Sequence, residues 1–285
     1  MMARRHPNWL KVKLPSGDRF MALRALIDEK KLHTVCQSAH CPNIEECFNR
    51  GVATFMILGD ICTRDCLFCN ISHGKPQKVD PEEPLRVAQA VRELGLNYAV
   101  ITSVTRDDLP DGGANHFAAT IAAIKELNPD CEVEVLIPDF QASIESLEKV
   151  IQKEPKVLNH NVETVKRLYP VARAQADYHR SLKLLKNAKS INSQMFTKSG
   201  LIVGLGEEYK EILQTINDLR KVHCDILTIG QYLQPSKRHL PIEKYYHPQE
   251  FQQLKKYALE VGFKWVESGP LVRSSYHADA LFRQY

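Results

Sequence analysis

From Thr54 onward the chain alternates two patterns of apolar residues. Short continuous apolar runs fit strands buried on both faces, and apolar positions recurring every three or four residues fit helices with one buried face. Strands are expected at 54–58, 98–102, 132–137, 157–159, 200–205 and 226–232. Helices are expected at 85–94, 117–127, 144–151, 179–188, 209–221 and 248–261. Residues 1–50 read as irregular, apart from one helix around 20–31. Six strand–helix units in alternation predict an α/β fold with parallel strands and helices outside. Six are too few for a complete eight-stranded barrel. A partial (β/α)6 barrel fits the count, as does an open doubly wound sheet. The repeat is one of secondary structure, with no recurring sequence unit. No linker divides the core, so the expected organisation is an N-terminal extension (1–50), one barrel domain (51–265) and a C-terminal segment (266–285). In such a fold chemistry sits at the carboxyl ends of the strands.

Composition narrows the class. The chain has 285 residues, 44% of them hydrophobic, ample for one large core. A net charge of +4 makes no strong case for nucleic acid, though a basic surface could attract an acidic partner. The absence of an apolar run of about 18 residues argues against a transmembrane helix. Arg4, Arg5, Lys11 and Lys13 make the N-terminus basic, but Pro7, Pro15 and Gly17 interrupt any helix and no serine precedes Ser16. That favours a basic soluble arm over a transit peptide. With no export signal visible, a cytoplasmic location is expected. Six of the eight cysteines fall between Cys36 and Cys69, while Cys131 and Cys224 stand alone and read as small core residues. Without export, metal ligation is favoured over disulfides.

The motifs then carry the chemistry. Cys62-Thr-Arg-Asp-Cys66-Leu-Phe-Cys69 follows the first strand as C-x3-C-x2-C. Three thiolates so spaced can wrap one face of a four-iron–four-sulfur cube and leave one iron open to chelate a substrate. A zinc site completed by His73 is the blander alternative. Cys36, Cys41 and Cys47 form C-x4-C-x5-C, giving a second cubane or a zinc site with His33 or His40. The loop Ser103-Val-Thr-Arg-Asp107-Asp108-Leu-Pro-Asp-Gly112-Gly113-Ala reads alone as a Gly-Pro turn, though its carboxylates suit an ammonium group. Asn159, Asn161 and Glu163 can bind sugar hydroxyls or cap a helix. The stretch Gly200-Leu-Ile202-Val-Gly204-Leu-Gly-Glu207 would let a ligand approach the backbone closely. Arg273-Ser274-Ser275-Tyr276-His277-Ala278 reads alone as a solvated turn.

C-x3-C-x2-C with Phe68 before its last cysteine resembles the signature of the radical S-adenosylmethionine (SAM) superfamily. C-x4-C-x5-C ahead of it, with R-S-S-Y near the end, resembles the lipoyl synthase family in particular, over Pro7 to Ala278. The resemblance implies a partial barrel of the radical SAM type, two [4Fe–4S] clusters and SAM. Cys62, Cys66 and Cys69 would hold the cluster that binds SAM and cleaves it to methionine and a 5′-deoxyadenosyl radical. Phe68, Asp107, Asp108, Gly112, Gly113, Asn159, Asn161, Glu163, Gly200, Ile202 and Gly204 are implied as SAM contacts. Cys36, Cys41 and Cys47 would hold an auxiliary cluster, with Ser275 (or Ser274) as a further ligand and Arg273 acting on the serine or the substrate. The implied reaction inserts sulfur at C6 and C8 of an octanoyl chain on a carrier lysine, the auxiliary cluster being the donor. Implied partners are octanoylated 2-oxoacid dehydrogenase E2 subunits, the glycine cleavage H protein, and a ferredoxin or flavodoxin; neither nucleic acid nor a membrane is expected. His40, His160 and His277 then read as structural, because hydrogen-atom abstraction needs no general base. Two other readings stay open: a biotin-synthase-like enzyme acting on a free small molecule, and a non-enzymatic zinc-stabilised adaptor.

Overall fold

The six expected strands form and lie side by side in chain order within one sheet. A computed structural model of the chain describes residues 6–11, 18–38, 41–49 and 54–278. Arg4, Arg5 and Lys13 of the basic arm, and His40, lie outside the described residues. The sheet contains β1 (His33–Thr34), β2 (Thr54–Ile57), β3 (Tyr98–Ser103), β4 (Glu132–Leu136), β5 (Val157–Asn159), β6 (Phe196–Val203), β7 (Ile226–Gln231) and β8 (Trp265–Gly269). Neighbours from β2 to β8 are parallel, while β1 pairs antiparallel with β2. The order runs from β1 to β8 without closing, which makes a partial barrel with a strand added at each edge.

Each parallel crossover carries a helix: α4 (Glu83–Glu93), α5 (Ala114–Leu127), α6 (Ile144–Ile151), the single turn α7 (Tyr169–Ala172) with α8 (Tyr178–Ile191), α9 (Tyr209–Lys221) and α10 (Pro248–Glu260). Before the barrel come α1 (Asp18–Glu29), α2 (Val35–Ser38) and α3 (Ile44–Asn49). The last two are too short to show a helical period, and they carry Cys36 and Cys47. β8 also escapes the sequence pattern. Its residues Trp-Val-Glu-Ser-Gly bury only Val266 in the outer core, so no apolar run announces it.

Two-residue alternation along the strands separates two environments. Phe55, Ile57, Ile101, Val133, Val135 and Leu158 are buried beneath α4, α5 and α6. Leu201, Val203, Leu227, Ile229 and Val266 are buried beneath α9 and α10. The positions between them line the interior of the barrel, where apolar Val100, Val157 and Ile226 stand beside a buried polar group. Lys198 Nζ lies 2.8 Å from Glu134 Oε1, with the two side chains 3% and 1% exposed. Tyr98 donates its hydroxyl proton to Glu134 Oε2 at 2.8 Å, and Asn159 Nδ2 reaches Oε1 at 3.4 Å. No helix among the described residues is long and apolar enough to cross a membrane.

A buried ion pair is costly to break from one side only, because the remaining charge is stranded. Lys198→Met is therefore expected to cost about 3–5 kcal/mol, and Lys198→Met with Glu134→Leu to recover most of that loss. Urea unfolding of the three proteins checks this; a double variant as unstable as the single one would show that the pair is not the cause.

Candidate active site

The loop holding Cys62, Cys66 and Cys69 leaves β2 at the carboxyl end of the sheet, and every side of it is fastened. The amides of Arg64 and Thr105 point at Cys62 Sγ, at 3.4 and 3.3 Å. Thr63 Oγ1 donates to Thr105 O, and the Asp107 amide donates back to Thr63 Oγ1, both at 3.0 Å. The Leu67 amide bonds to Ala172 O, the Leu240 amide to Leu67 O, and His239 Nε2 lies 3.0 Å from Cys69 O. Phe68 lies half-buried within the loop. Arg64 is the central anchor. It is 6% exposed and forks onto Asp107 at 2.6 and 2.9 Å and onto Asp139 at 3.1 and 2.7 Å. Arg180 completes the group by reaching Asp139 at 2.8 Å. Burial would raise the Asp139 carboxyl, but Arg64 outweighs it and holds the group far below the ordinary carboxylate range.

The other loops expected to form the site surround this one. Asp107 is taken up by Arg64, and Asp108 by Arg106, which forks onto it at 2.8 Å through both nitrogens. Gly113 has φ +91°, and a Cβ there would run into Leu58, itself at φ +69°. Gly112 backs onto Phe140 in the same turn. These two glycines thus have packing reasons of their own. Asn161 Nδ2 donates to Glu163 Oε1 at 3.0 Å, and Arg173 Nη1 donates to Asn161 O at 2.9 Å. Desolvation pushes the Glu163 carboxyl above its usual range, with Arg173 and Asn161 opposing. Gly200 lies against the Asn161 amide, and the Ile202 amide bonds to Glu163 O at 2.7 Å. Glu207 caps the turn beyond β6, accepting from the amides of Gly204 and Leu205 at 2.6 and 2.9 Å, so its role is local. His160 is 2% exposed between Ile137 O and Ser181 Oγ; burial and the nearby Arg173 charge lower it to about 4, a neutral structural histidine.

Buried polar atoms without a partner mark where a ligand would fit. Among the described residues they are Ser103 Oγ, Asn159 Oδ1, Asn161 Oδ1, Thr164 Oγ1 and Arg173 Nε, all at or just beyond the carboxyl ends of β3 and β5 or on the arginine bonded there. Each such group costs about 1–3 kcal/mol unless something satisfies it. A zwitterionic, hydroxyl-rich ligand is the kind of molecule whose groups would match these atoms. Ser103 and Arg173 did not stand out in the sequence. Arg173 follows a short helix with no motif around it, and only the fold brings its charge into range of Cys66 and Glu163.

The second cysteine set lies next to the first. Asn70 Nδ2 donates to Ser38 O at 3.0 Å, joining the two cysteine loops. The Cys41 amide bonds to Cys36 O, and the Cys47 amide to Asn43 O. Burial pushes the Cys36 and Cys69 thiols up to about 12 and raises Cys41 and Cys66. Such thiols become thiolates on binding a metal, which couples loading to proton release. All eight cysteines are free, and among the described residues no three His, Cys, Asp or Glu converge on one point as a single metal ion would require. Cys131 and Cys224 are buried in the core, as expected. The C-terminal segment crosses the inner face of β7, where a Cβ on Gly230 would collide with the Val272 carbonyl oxygen. It then meets the first cysteine loop: Asn43 Nδ2 donates to Leu271 O at 2.6 Å, and Tyr276 and His277 reach the Glu46 carboxylate at 3.3 and 3.1 Å. The Arg273 charge is within range of Cys41. Ser274 and Ser275 lie half-buried in the turn between these contacts.

Comparison with known proteins follows the same lines. The Radical SAM superfamily matches residues 56–219, and the N-terminal domain of lipoyl synthase matches residues 2–41. A lipoyl synthase of Caldicellulosiruptor saccharolyticus is 54% identical, with 98% of each chain covered. One from Rubrobacter xylanophilus is 56% identical over 95% of this chain and 85% of its own. Among solved structures, Streptococcus suis SuiB bound to precursor peptide SuiA matches with TM-score 0.59 at 12% identity, covering 84% of this chain. This chain spans 54% of that one, about half its length. Methylornithine synthase (PylB) matches with TM-score 0.56 at 15% identity, covering 87% of this chain and 81% of its own. Likeness at these identities shows the shared fold.

Asp139 gives the site a measurable acid dependence. Its lowered pKa contributes stability that is complete above the ordinary Asp value and is lost as pH falls through that value toward the folded one. Asp139→Asn should cost about 3 kcal/mol at pH 7 by leaving Arg64 and Arg180 underpaired. The gap from wild type should hold above about pH 5 and narrow progressively below it in urea titrations. A gap independent of pH would remove the ion pair as its origin.

Proposed function

This chain belongs to the lipoyl synthase family of the radical SAM superfamily, and from that premise we propose that it inserts sulfur at C6 and C8 of an octanoyl chain carried on a lysine of a lipoyl carrier domain. It is a radical SAM enzyme, using SAM and a [4Fe–4S] cluster. We assign that cluster to Cys62, Cys66 and Cys69, and an auxiliary cluster to Cys36, Cys41, Cys47 and Ser275. Bound there, SAM with its cluster would supply abstraction of an unactivated hydrogen atom, and the auxiliary cluster would supply sulfur. The observation that carries the reading is the Asn70–Ser38 hydrogen bond at 3.0 Å, which ties the two cysteine loops together. A carbon that must first lose hydrogen and then gain sulfur has to meet both centres without moving far.

The chain's own residues have the remaining tasks. Ser103, Asn159, Asn161 and Arg173 would orient SAM through their unpaired atoms, with Glu163 held beside them by Asn161. Phe68, Gly200, Ile202 and Gly204 would shape its pocket, and Gly112 and Gly113 the turn beside it. Asp107 and Asp108 would act through the arginines they hold. The N-terminal extension (1–50) carries the auxiliary thiols, the barrel (51–265) holds SAM, and the C-terminal segment (266–285) closes over the auxiliary site, excluding water. Arg273 beside Cys41 would steady the serine or the incoming chain. The octanoylated substrates proposed are E2 subunits of 2-oxoacid dehydrogenases and the glycine cleavage H protein, in the cytoplasm, with a ferredoxin or flavodoxin as electron donor.

Two measurements test the assignments. By ligand logic the loaded chain should hold about eight irons. Replacing Cys62, Cys66 and Cys69 with Ala should halve the iron and abolish 5′-deoxyadenosine formation; survival of SAM cleavage would sink the assignment. In an anaerobic assay with an octanoyl-lysyl peptide, read by mass spectrometry, Ser275→Cys should slow thiolation by replacing a hard, labile ligand with thiolate, while SAM cleavage persists. Undiminished thiolation from Ser275→Cys and Ser275→Ala alike would free Ser275 from any role at the cluster.

A further inference from the structure

The loop of Cys62, Cys66 and Cys69 has two sides. Asn70 turns one side toward the auxiliary cysteine loop, where the substrate chain must lie. The other side faces solvent. There Leu67 is 42% exposed and Val171 54%, and the Leu67 amide bonds to Ala172 O at 2.9 Å, bringing these residues together. The Leu240 amide bonds to Leu67 O at 3.0 Å, which places exposed Ser236, Lys237 and Arg238 at the border of the same patch. Lys237 and Arg238 have no ion-pair partner among the described residues. Asp65, exposed on the same loop, sits where its amide meets Gln175 Oε1.

A hydrogen-bonded path leads inward from this border. Ser236 Oγ lies 2.9 Å from His239 Nδ1, and His239 Nε2 lies 3.0 Å from the Cys69 carbonyl oxygen. An exposed serine, one imidazole and a cysteine backbone thus connect the surface to a proposed cluster ligand. Nothing in the lipoyl reaction itself needs this histidine.

We propose that this face, with Leu67 and Val171 at its centre and Lys237 and Arg238 at its rim, is the docking surface for an acidic one-electron redox protein that reduces the cluster on Cys62, Cys66 and Cys69. The inference rests on the function proposed above. An apolar centre with a charged rim suits a small transient interface, and redox encounters are among the smallest. Unpaired cations at the rim steer a negatively charged partner and set its salt dependence. One electron leaves the donor and one enters the cluster; no atom or proton changes hands, and His239 only lends the bonded path. A donor seated here leaves the inner side of the loop free for the carrier domain.

The test uses the loaded enzyme under anaerobic conditions, with reduced flavodoxin as the acidic probe and dithionite as a small reductant. Lys237→Glu with Arg238→Glu should lower kcat/KM for flavodoxin-driven 5′-deoxyadenosine formation at least about fivefold, mainly through KM, and leave the dithionite rate unchanged. Binding is read separately by titrating oxidised flavodoxin and following its flavin fluorescence. Kd should rise at least about fivefold in the variant, and wild-type binding should weaken as salt is added. A smaller change, or an equal loss with dithionite, overturns the proposal. Wild type that cleaves no SAM with dithionite would instead refute the function proposed above, and the binding titration would still decide the docking face.

Discussion

One guanidinium held between two carboxylates fixes the loop that carries Cys62, Cys66 and Cys69. Arg64 stands inside C-x3-C, and its fork engages Asp107 beyond β3 and Asp139 beyond β4, with Arg180 of α8 behind. A buried charge is tolerated only when its partners are complete. The pairing therefore places three strand-to-helix loops relative to one another, and the cysteines on either side of Arg64 inherit that placement. The neighbouring turn is held in the same way. The Leu58 amide donates to Glu83 Oε2 at 2.8 Å, His116 touches the same oxygen, and Arg106 reaches Leu58 O.

Stability and function occupy different surfaces of the same strands. The outward side chains are apolar and sealed under helices, where burial near 25 cal/mol per Å² supplies the main driving force. The inward ones include Glu134, Asn159, Lys198 and Thr228, a polar lining that would be costly in a closed core. The Lys198–Glu134 ion pair takes up part of that polarity, and the returning C-terminal segment crosses the lining at Gly230. The barrel can thus vary its lining without disturbing the shell that holds it together.

Much of this was legible in the residues. Strands that bury their outward side chains leave short runs rich in apolar and β-branched residues, and the six of them were readable for that reason. β8 was not, because its inner positions are Trp265, Glu267 and Gly269, and α2 and α3 were not, because helices shorter than two turns show no period. The cysteine loops were readable because ligand spacing is local. The contacts around them were harder to read. Asp107 and Asp108 looked free to meet an ammonium group, yet both are committed to arginines. Arg173, Ser103 and His239 were passed over because their meaning depends on partners far away in the chain. Identity over nearly the full length of known lipoyl synthases also leaves no room for a biotin-synthase-like enzyme or a zinc adaptor.

The contact between the first cysteine loop and the end of the chain has a bearing on how the protein is made. Asn43 and Leu271 are 228 positions apart. At translation rates of roughly 5–20 residues per second, the ribosome needs roughly 10 to 50 s to travel that distance. Throughout that interval Cys36, Cys41 and Cys47 are already synthesised while Leu271, Arg273 and Tyr276 do not yet exist. The bond that joins Asn43 to Leu271 can therefore form only after almost the whole chain has been made.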